Sequence, residues 1–247
     1  MSETIQPGAL YIVSTPIGNL GDITQRAVDI LGRVDLIAAE DTRKTGFLLE
    51  HLCITKPLVS YFSYNERRRV PELITKLKAG TSVAVVTDAG TPGISDPAFS
   101  IIREAVTEGI RVISVPGASA VLAALVVSGL PMDRFVFEGF LPVKKGRKTR
   151  LEALKNDPRT FVLYEAPHRV AKTLEEILTY CGDRRIAVVR EATKKFEEVL
   201  RGNVSTVLEK VKGKAPRGEY VIVVAGTDDR ESLTFAEVNA SAKVNKL

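Results

Sequence analysis

Cysteine and histidine are scarce in this chain of 247 residues, with two of each. Cys53 and Cys181 stand outside any C-x-x-C or similar spacing, so they build neither a disulfide framework nor a redox pair, and a reducing compartment is consistent. Cys181 continues an apolar helical face and reads as a small hydrophobe. His51 and His168 are equally scattered, which argues against a zinc site or a Cys/His catalytic pair. Long apolar runs are missing as well. The longest, residues 121–127 (VLAALVV), falls far short of the roughly 20 residues that a bilayer span needs. The opening MSETIQPG has neither the basic start nor the apolar core of a signal peptide, so the chain is expected to stay in the cytoplasm. No G-x-G-x-x-G follows the first strand signal and no G-x-x-x-x-G-K-[ST] occurs, which removes the two commonest phosphate-cradling motifs.

What is present is ordinary globular material, 45% hydrophobic and 26% charged, in a chain long enough for two modest domains. Strand and helix signals alternate. Apolar runs at 10–14, 36–39, 58–62, 83–86 and 112–115 read as strands, with helices between them. Asp22 is placed to cap the first helix, whose Ile23, Ala27, Ile30 and Leu31 share one face. A helix is expected over 97–108, with Asp96 and Pro97 as its N-cap and first residue. This rhythm indicates an α/β domain with a mostly parallel sheet. It breaks at Pro116-Gly117-Ala118-Ser119 and restarts with strands over 134–140, 161–164, 186–189, 198–201 and 220–224. The expected organisation is an N-terminal α/β domain over 1–117, a mixed-sheet C-terminal domain over 118–226 and a polar tail over 227–247.

Three strand ends in the first half carry Pro, Gly and Ser or Thr: STPIGNLGD after the first, VVTDAGTPGISDP from the fourth and SVPGASA after the fifth. In open α/β sheets ligands sit beyond the carboxyl ends of strands. Gly90 and Gly93 leave backbone groups open to a ligand, or they simply make a tight strand-to-helix connection. Convergence of three such loops favours a shared nucleoside cleft.

The net charge is +5, with cations gathered at 67–69, at 144–150 (KKGRKTR) and at 210–217. Each cluster is either a solvated helix face or a phosphate-binding surface. A loop with five cations in seven residues points to nucleic acid, with Arg43, Arg67, Arg68, Lys144, Lys145, Arg147, Lys148 and Arg150 as candidate nucleic-acid contacts.

The strings STPIGNLGDIT, AAEDTRKT, Asn65-Glu66, VVTDAGTPGISDP, PGASA, LYEAPHR and REATK, in this order from Leu10 to Gly226, closely resemble the tetrapyrrole-methylase superfamily. Within it they are similar to the branch that methylates small-subunit ribosomal RNA. Gly18-Asn19-Leu20-Gly21-Asp22 lacks the closely spaced glycine triplet of tetrapyrrole-modifying members, which speaks against a porphyrin-like substrate more than against the cofactor. The resemblance implies a two-domain tetrapyrrole-methylase-like fold and a homodimer. It implies S-adenosylmethionine as cofactor and 2′-O-methylation of a decoding-region cytidine in 16S rRNA of the small ribosomal subunit. Asp88, Ala89, Gly90, Thr91, Ile94, Ser119, Ala120, Tyr164 and Ala192 would line the cofactor, and more weakly Pro216 and Gly218.

A ribose hydroxyl is a poor nucleophile, so a carboxylate or amine near it is expected to take its proton. Glu40, Asp41 and Lys44 at the end of the second strand are the candidates. Alternatively Asp41 or Thr42 caps the following helix. His168 reads as structural. Two other functions stay open: a tetrapyrrole methyltransferase, which would not need the basic loop, and a noncatalytic RNA-binding module, which would not need three cofactor-type loops.

Overall fold

The structure is a computed structural model that describes residues 4–213 and 215–229. Lys214 of the third basic cluster, and the expected polar tail from residue 230 onward, lie outside the described residues. The chain forms two compact units, divided between Ser119 and Ala120.

The first unit is built on strands β1 (Leu10–Val13), β2 (Leu36–Ala39), β3 (Leu58–Ser60), β4 (Val83–Val86) and β5 (Val112–Val115), ordered β3-β2-β4-β1-β5. Every pairing is parallel. All residues of β1, β2 and β4 are buried, which is why these strands are continuously apolar: both of their faces are covered. Tyr11, Val13, Ile37 and Ala39 pack with Ile30 and Leu31 of α1 (Gln25–Arg33) and Leu49 of α2 (Thr42–His51). Leu10, Ile12 and Ala38 face the other way, onto Leu73 and Leu77 of α3 (Glu66–Lys78) and Ile101 of α4 (Phe99–Thr107).

Two expected caps are corrected. Asp22 lies in a 3-10 turn, Leu20–Asp22, and Thr24 caps α1 by accepting from the Ala27 N–H. Asp96 does not cap α4 either. The N-cap position is Ala98, and the Asp96 carboxylate instead folds back to accept from the Gly93 N–H. At Asp96 the turn takes the carboxylate before the helix can use it.

The second unit has α5 (Ala120–Ser128), β6 (Phe135–Phe140), α6 (Arg147–Leu154), β7 (Thr160–Glu165), α7 (Val170–Cys181), β8 (Arg185–Arg190), β9 (Glu198–Asn203), α8 (Val204–Lys212) and β10 (Tyr220–Val224). Its sheet runs β6-β7-β10-β8-β9 and is mixed: β6 and β7 pair in parallel and the remaining pairs are antiparallel. One face packs on α5 through Val162, Ala187, Val189 and Val223. The other packs on α6, α7 and α8 through Phe161, Leu163, Ile186 and Ile222. Among the described residues no helix is long and apolar enough to cross a membrane.

Candidate active site

All five strands of the first sheet point the same way, so the residues following β1, β2, β4 and β5 emerge at one edge. Glu40 follows β2. Its Oε2 accepts from the Thr87 hydroxyl at 2.5 Å and from the Asp88 N–H at 3.1 Å, both at the end of β4. Asp88 in turn accepts from the Asp41 N–H through Oδ1 at 3.1 Å and from Lys44 Nζ through Oδ2 at 2.6 Å. The ends of β2 and β4 are thereby tied by side chains on both strands.

Asp41 is the N-cap of α2: its Oδ1 accepts from the Arg43 N–H at 2.9 Å. The Arg43 guanidinium closes on the same carboxylate, with Nε 3.2 Å from Oδ1 and NH2 2.9 Å from Oδ2. Hydrogen bonding from the Arg43 side chain holds the Asp41 carboxyl down at about 2. The hydrogen bond and charge of Asp88 push the Lys44 ammonium up. Asp41 thus caps α2, and Lys44 stands beside Asp88. Glu40 differs from both. Its two donors share one oxygen, leaving Oε1 without a hydrogen bond among the described residues.

The three small-residue loops do converge. The Thr15 N–H donates to Gly90 O at 2.9 Å and the Gly90 N–H donates to Thr15 O at 3.1 Å, an antiparallel bridge beyond the parallel sheet. Ser14 Oγ and Thr91 Oγ1 lie 2.9 Å apart, and Thr91 Oγ1 donates to Ala118 O at 3.3 Å. Gly117 sits so close that an added Cβ would stand 2.9 Å from Ser14 Cβ. Gly90 has φ +87°, which only glycine adopts without strain. The main-chain groups of Gly90 and the N–H of Gly93 are already committed within the loops. The glycines thus shape the turn, and Ala89, Ile94 and Ser95 are its exposed residues.

Beside this network is a cavity of about 220 Å³ with Asp88 and Lys44 on its polar side and Pro16, Leu20 and Phe47 on its apolar side. Leu20 is 45% and Phe47 71% exposed, a large apolar surface around a charged pair. Nothing in the alternation of the sequence singled out Phe47. Its signal was an aromatic on the exposed side of a helix whose first turn carries Lys44. Asp96, half-buried nearby, has its carboxyl pushed up by desolvation, which outweighs the hydrogen bond from Gly93, and the Glu40 charge acts the same way.

In the second unit Tyr164 lies near the end of β7, edge-to-face with Phe137 (5.0 Å) and Phe140 (5.6 Å). Ala192 lies between two left-handed residues, Glu191 (φ +54°) and Thr193 (φ +67°), and such strain in non-glycine residues gathers at functional sites. Glu191 Oε1 accepts from the Glu219 N–H and from Lys194 Nζ, both at 2.9 Å. Gly218 must lack a side chain there, since a Cβ would stand 2.6 Å from Glu191 Cγ. Pro216 precedes this contact, Ala120 opens α5, and Ser119 closes the first unit.

Among the cations, Lys144 and Lys145 are exposed, Lys148 reaches Glu152 at 3.6 Å and Arg150 reaches Glu138 at 3.0 Å. Arg43, 85% exposed at its side chain, keeps contact with Asp41. Arg67 and Arg68 are exposed at the start of α3. Arg147 contradicts the expectation of an RNA contact: it is buried, and the run 144–150 is loop only as far as Gly146. Its guanidinium donates to Glu176 Oε2 at 2.6 Å, Thr173 Oγ1 at 2.6 Å and Pro142 O at 3.1 Å. Thr173 donates onward to buried Glu165 at 2.6 Å, and Arg169 Nε approaches Glu165 at 3.1 Å. The Glu and Arg of LYEAPHR are therefore members of a buried ionic network. Their signal was a carboxylate directly after the apolar run 161–164, which burial forces to find cations.

Residues 9–208 match the family described as Tetrapyrrole (Corrin/Porphyrin) Methylases. A protein of Synechocystis sp. called Ribosomal RNA small subunit methyltransferase I is 48% identical over 242 residues, 97% of this chain and 87% of the relative. A protein of the same name from Thermotoga maritima is 47% identical over 90% of this chain and 100% of the relative. The one from Escherichia coli O157:H7 is 47% identical over 91% and 80%. Among solved structures, diphthine synthase is similar with a TM-score of 0.70 over 95% of each chain at 16% identity. Uroporphyrin-III C-methyltransferase from Thermus thermophilus, in complex with S-adenosyl homocysteine, is similar with a TM-score of 0.62 at 20% identity, over 90% of this chain and 99% of that one.

Proposed function

The chain belongs to the tetrapyrrole methylase family, among the ribosomal RNA small subunit methyltransferases I, and we propose that it methylates the ribose 2′-hydroxyl of a decoding-region cytidine in 16S rRNA. S-adenosylmethionine is the methyl donor. When bound it supplies a methyl carbon already activated by a sulfonium sulfur. The protein's task is then alignment, worth up to about 7 to 11 kcal/mol in well-oriented systems, and removal of one proton.

The observation that carries this reading is that the Thr87 hydroxyl and the Asp88 N–H both hold one oxygen of Glu40, beside the left-handed Gly90 and the cavity lined by Phe47 and Lys44. In the first unit Asp88, Ala89, Gly90, Thr91, Ile94 and Ser119 are assigned to the cofactor. The residues fit such a group. A carboxylate offers roughly four acceptor positions, and Asp88 uses two of them on Asp41 and Lys44, which leaves capacity for a ribose hydroxyl or an ammonium. The apolar side of the cavity suits a base and Lys44 suits a phosphate or the hydroxyl under attack. Glu40, held by one oxygen, takes the proton on the other. The same reading carries a homodimeric, cytoplasmic enzyme acting on the small subunit.

Support for RNA over a tetrapyrrole comes from the names of relatives at 47–48% identity and from the exposed cations around 67–68 and 144–145. The test is to incubate the protein with methyl-labelled cofactor and small subunits lacking the modification, then map the label. Label on a single cytidine ribose is expected. Label on a base, or on a porphyrinoid in preference to RNA, overturns the assignment.

A further inference from the structure

One exposed surface of the first unit has no place in the site above. Between β3 and α3 the chain turns outward through Phe62 and Tyr64, whose rings meet edge-on with centroids 6.4 Å apart. Tyr64 is 95% exposed and Phe62 is 37% exposed. A single exposed aromatic needs no explanation. This pair, however, stands on a loop fixed from below. Asn65 Oδ1 accepts from the Phe62 N–H at 2.9 Å, and Asn65 Nδ2 donates to Ser60 O at 3.1 Å. Arg69 Nε donates to the same carbonyl at 3.1 Å, and Glu66 accepts from Ser100 at 2.5 Å, which anchors the start of α3. The aromatic tip is thus held out by a stapled base. On the next turn Arg67 and Arg68 are exposed, the Arg68 side chain making a 3.9 Å contact to Glu72, while Arg69 turns inward.

An exposed aromatic pair on an anchored loop, with two outward cations one turn away, matches an unpaired nucleotide: ring for base, guanidinium for phosphate. A duplex does not fit, because its bases are stacked on one another and offer the ring no free face. We propose that Phe62 and Tyr64 form a stacking platform for an unpaired base of the RNA substrate, with Arg67 and Arg68 holding its flanking phosphates. This rests on the RNA reading above and adds the residues that would fix the register of the strand.

The chain has no tryptophan, so Tyr64→Trp introduces a lone indole reporter. Its fluorescence is expected to be quenched by a single-stranded oligoribonucleotide of the target region and not by the same sequence as a duplex. Tyr64→Ala is expected to raise KM for small subunits about fivefold or more, the low end of one base–aromatic stack, with kcat and cofactor affinity unchanged. Tyr64→Trp restores KM. Equal quenching by single strand and duplex, no quenching, or a KM for Tyr64→Ala equal to the parent's overturns the platform. Labelled RNA with a normal Tyr64→Ala variant rejects the platform and keeps the reaction. Strand-specific quenching with no labelled RNA rejects the reaction and keeps the platform.

Discussion

Arg147 Nε lies 2.6 Å from Glu176 Oε2, with the guanidinium buried inside the second unit although the residue belongs to the most basic stretch of the sequence. Removing one partner of a buried ion pair strands the other charge, at a typical cost of about 3 to 5 kcal/mol. Arg147→Ala is therefore expected to lower stability by about that amount, read as a shift of the urea midpoint. Lys144→Ala with Lys145→Ala should leave the midpoint where it is and flatten the salt dependence of RNA binding, by about 0.7 in log–log slope for each phosphate lost. A parent-like midpoint for Arg147→Ala would show that the network carries no stability.

Gly90 combines φ +87° with a neighbour, Ile17 Cγ2, 3.4 Å from where a Cβ would stand. The left-handed conformation alone costs a β-carbon residue roughly 1 to 2 kcal/mol. In Gly90→Val the added bulk should also push the loop away from Thr15 and Asp88. We expect at least a tenfold loss of S-adenosylmethionine affinity by calorimetry, and normal affinity would remove this loop from the cofactor site.

Glu40→Gln keeps an oxygen to accept from Thr87 and the Asp88 N–H, so the strand ends stay tied, while the group loses its ability to take a proton. General bases contribute about 10² to 10⁴ in rate. The turnover number should fall at least a hundredfold with cofactor affinity within twofold of the parent. A variant that keeps its turnover would show that the proton goes elsewhere.

Asp96 gives a pH-dependent test. Desolvation raises its carboxyl above the ordinary carboxylate range. A carboxyl with a raised folded-state value favours folding most below the unfolded value, and that contribution is lost as pH rises through the folded one. At neutral pH the buried charge therefore costs stability. Asp96→Asn, which still accepts from Gly93, should melt higher than the parent at pH 7, with the gap closing as the pH approaches 4. A gap that does not change with pH would contradict this.

Much of the fold was legible because burial on two faces writes an unmistakable signal. The boundaries of β2, β4 and β5 coincide with the apolar runs at 36–39, 83–86 and 112–115. What was not legible were choices between nearby partners. Asp22 and Asp96 are good caps in isolation and lost to Thr24 and to a turn that needed the carboxylate. Arg147 is one cation among five, and only tertiary packing, through Glu176 and Thr173, separates it from the others. In α8, Val204, Val207, Leu208 and Val211 follow a helical period that the cationic run at 210–217 obscured. At the site, the convergence of three loops was visible in their composition. The Asp41 cap was one of the two readings the sequence offered, but that Lys44 pairs with Asp88 and that Glu40 keeps an oxygen to spare was not visible, since adjacent acidic residues look alike until their donors are known.

The reciprocal bonds between Thr15 and Gly90 join two segments 75 positions apart in register. Transplanting either loop alone from a relative of different loop length would break both hydrogen bonds and pull Ser14 from Thr91, whereas moving the pair together would carry an intact module. For anyone recombining members of this family, the unit of exchange is two stretches of chain, and a chimaera with one swapped loop beside a chimaera with both would make that visible in a single melting experiment.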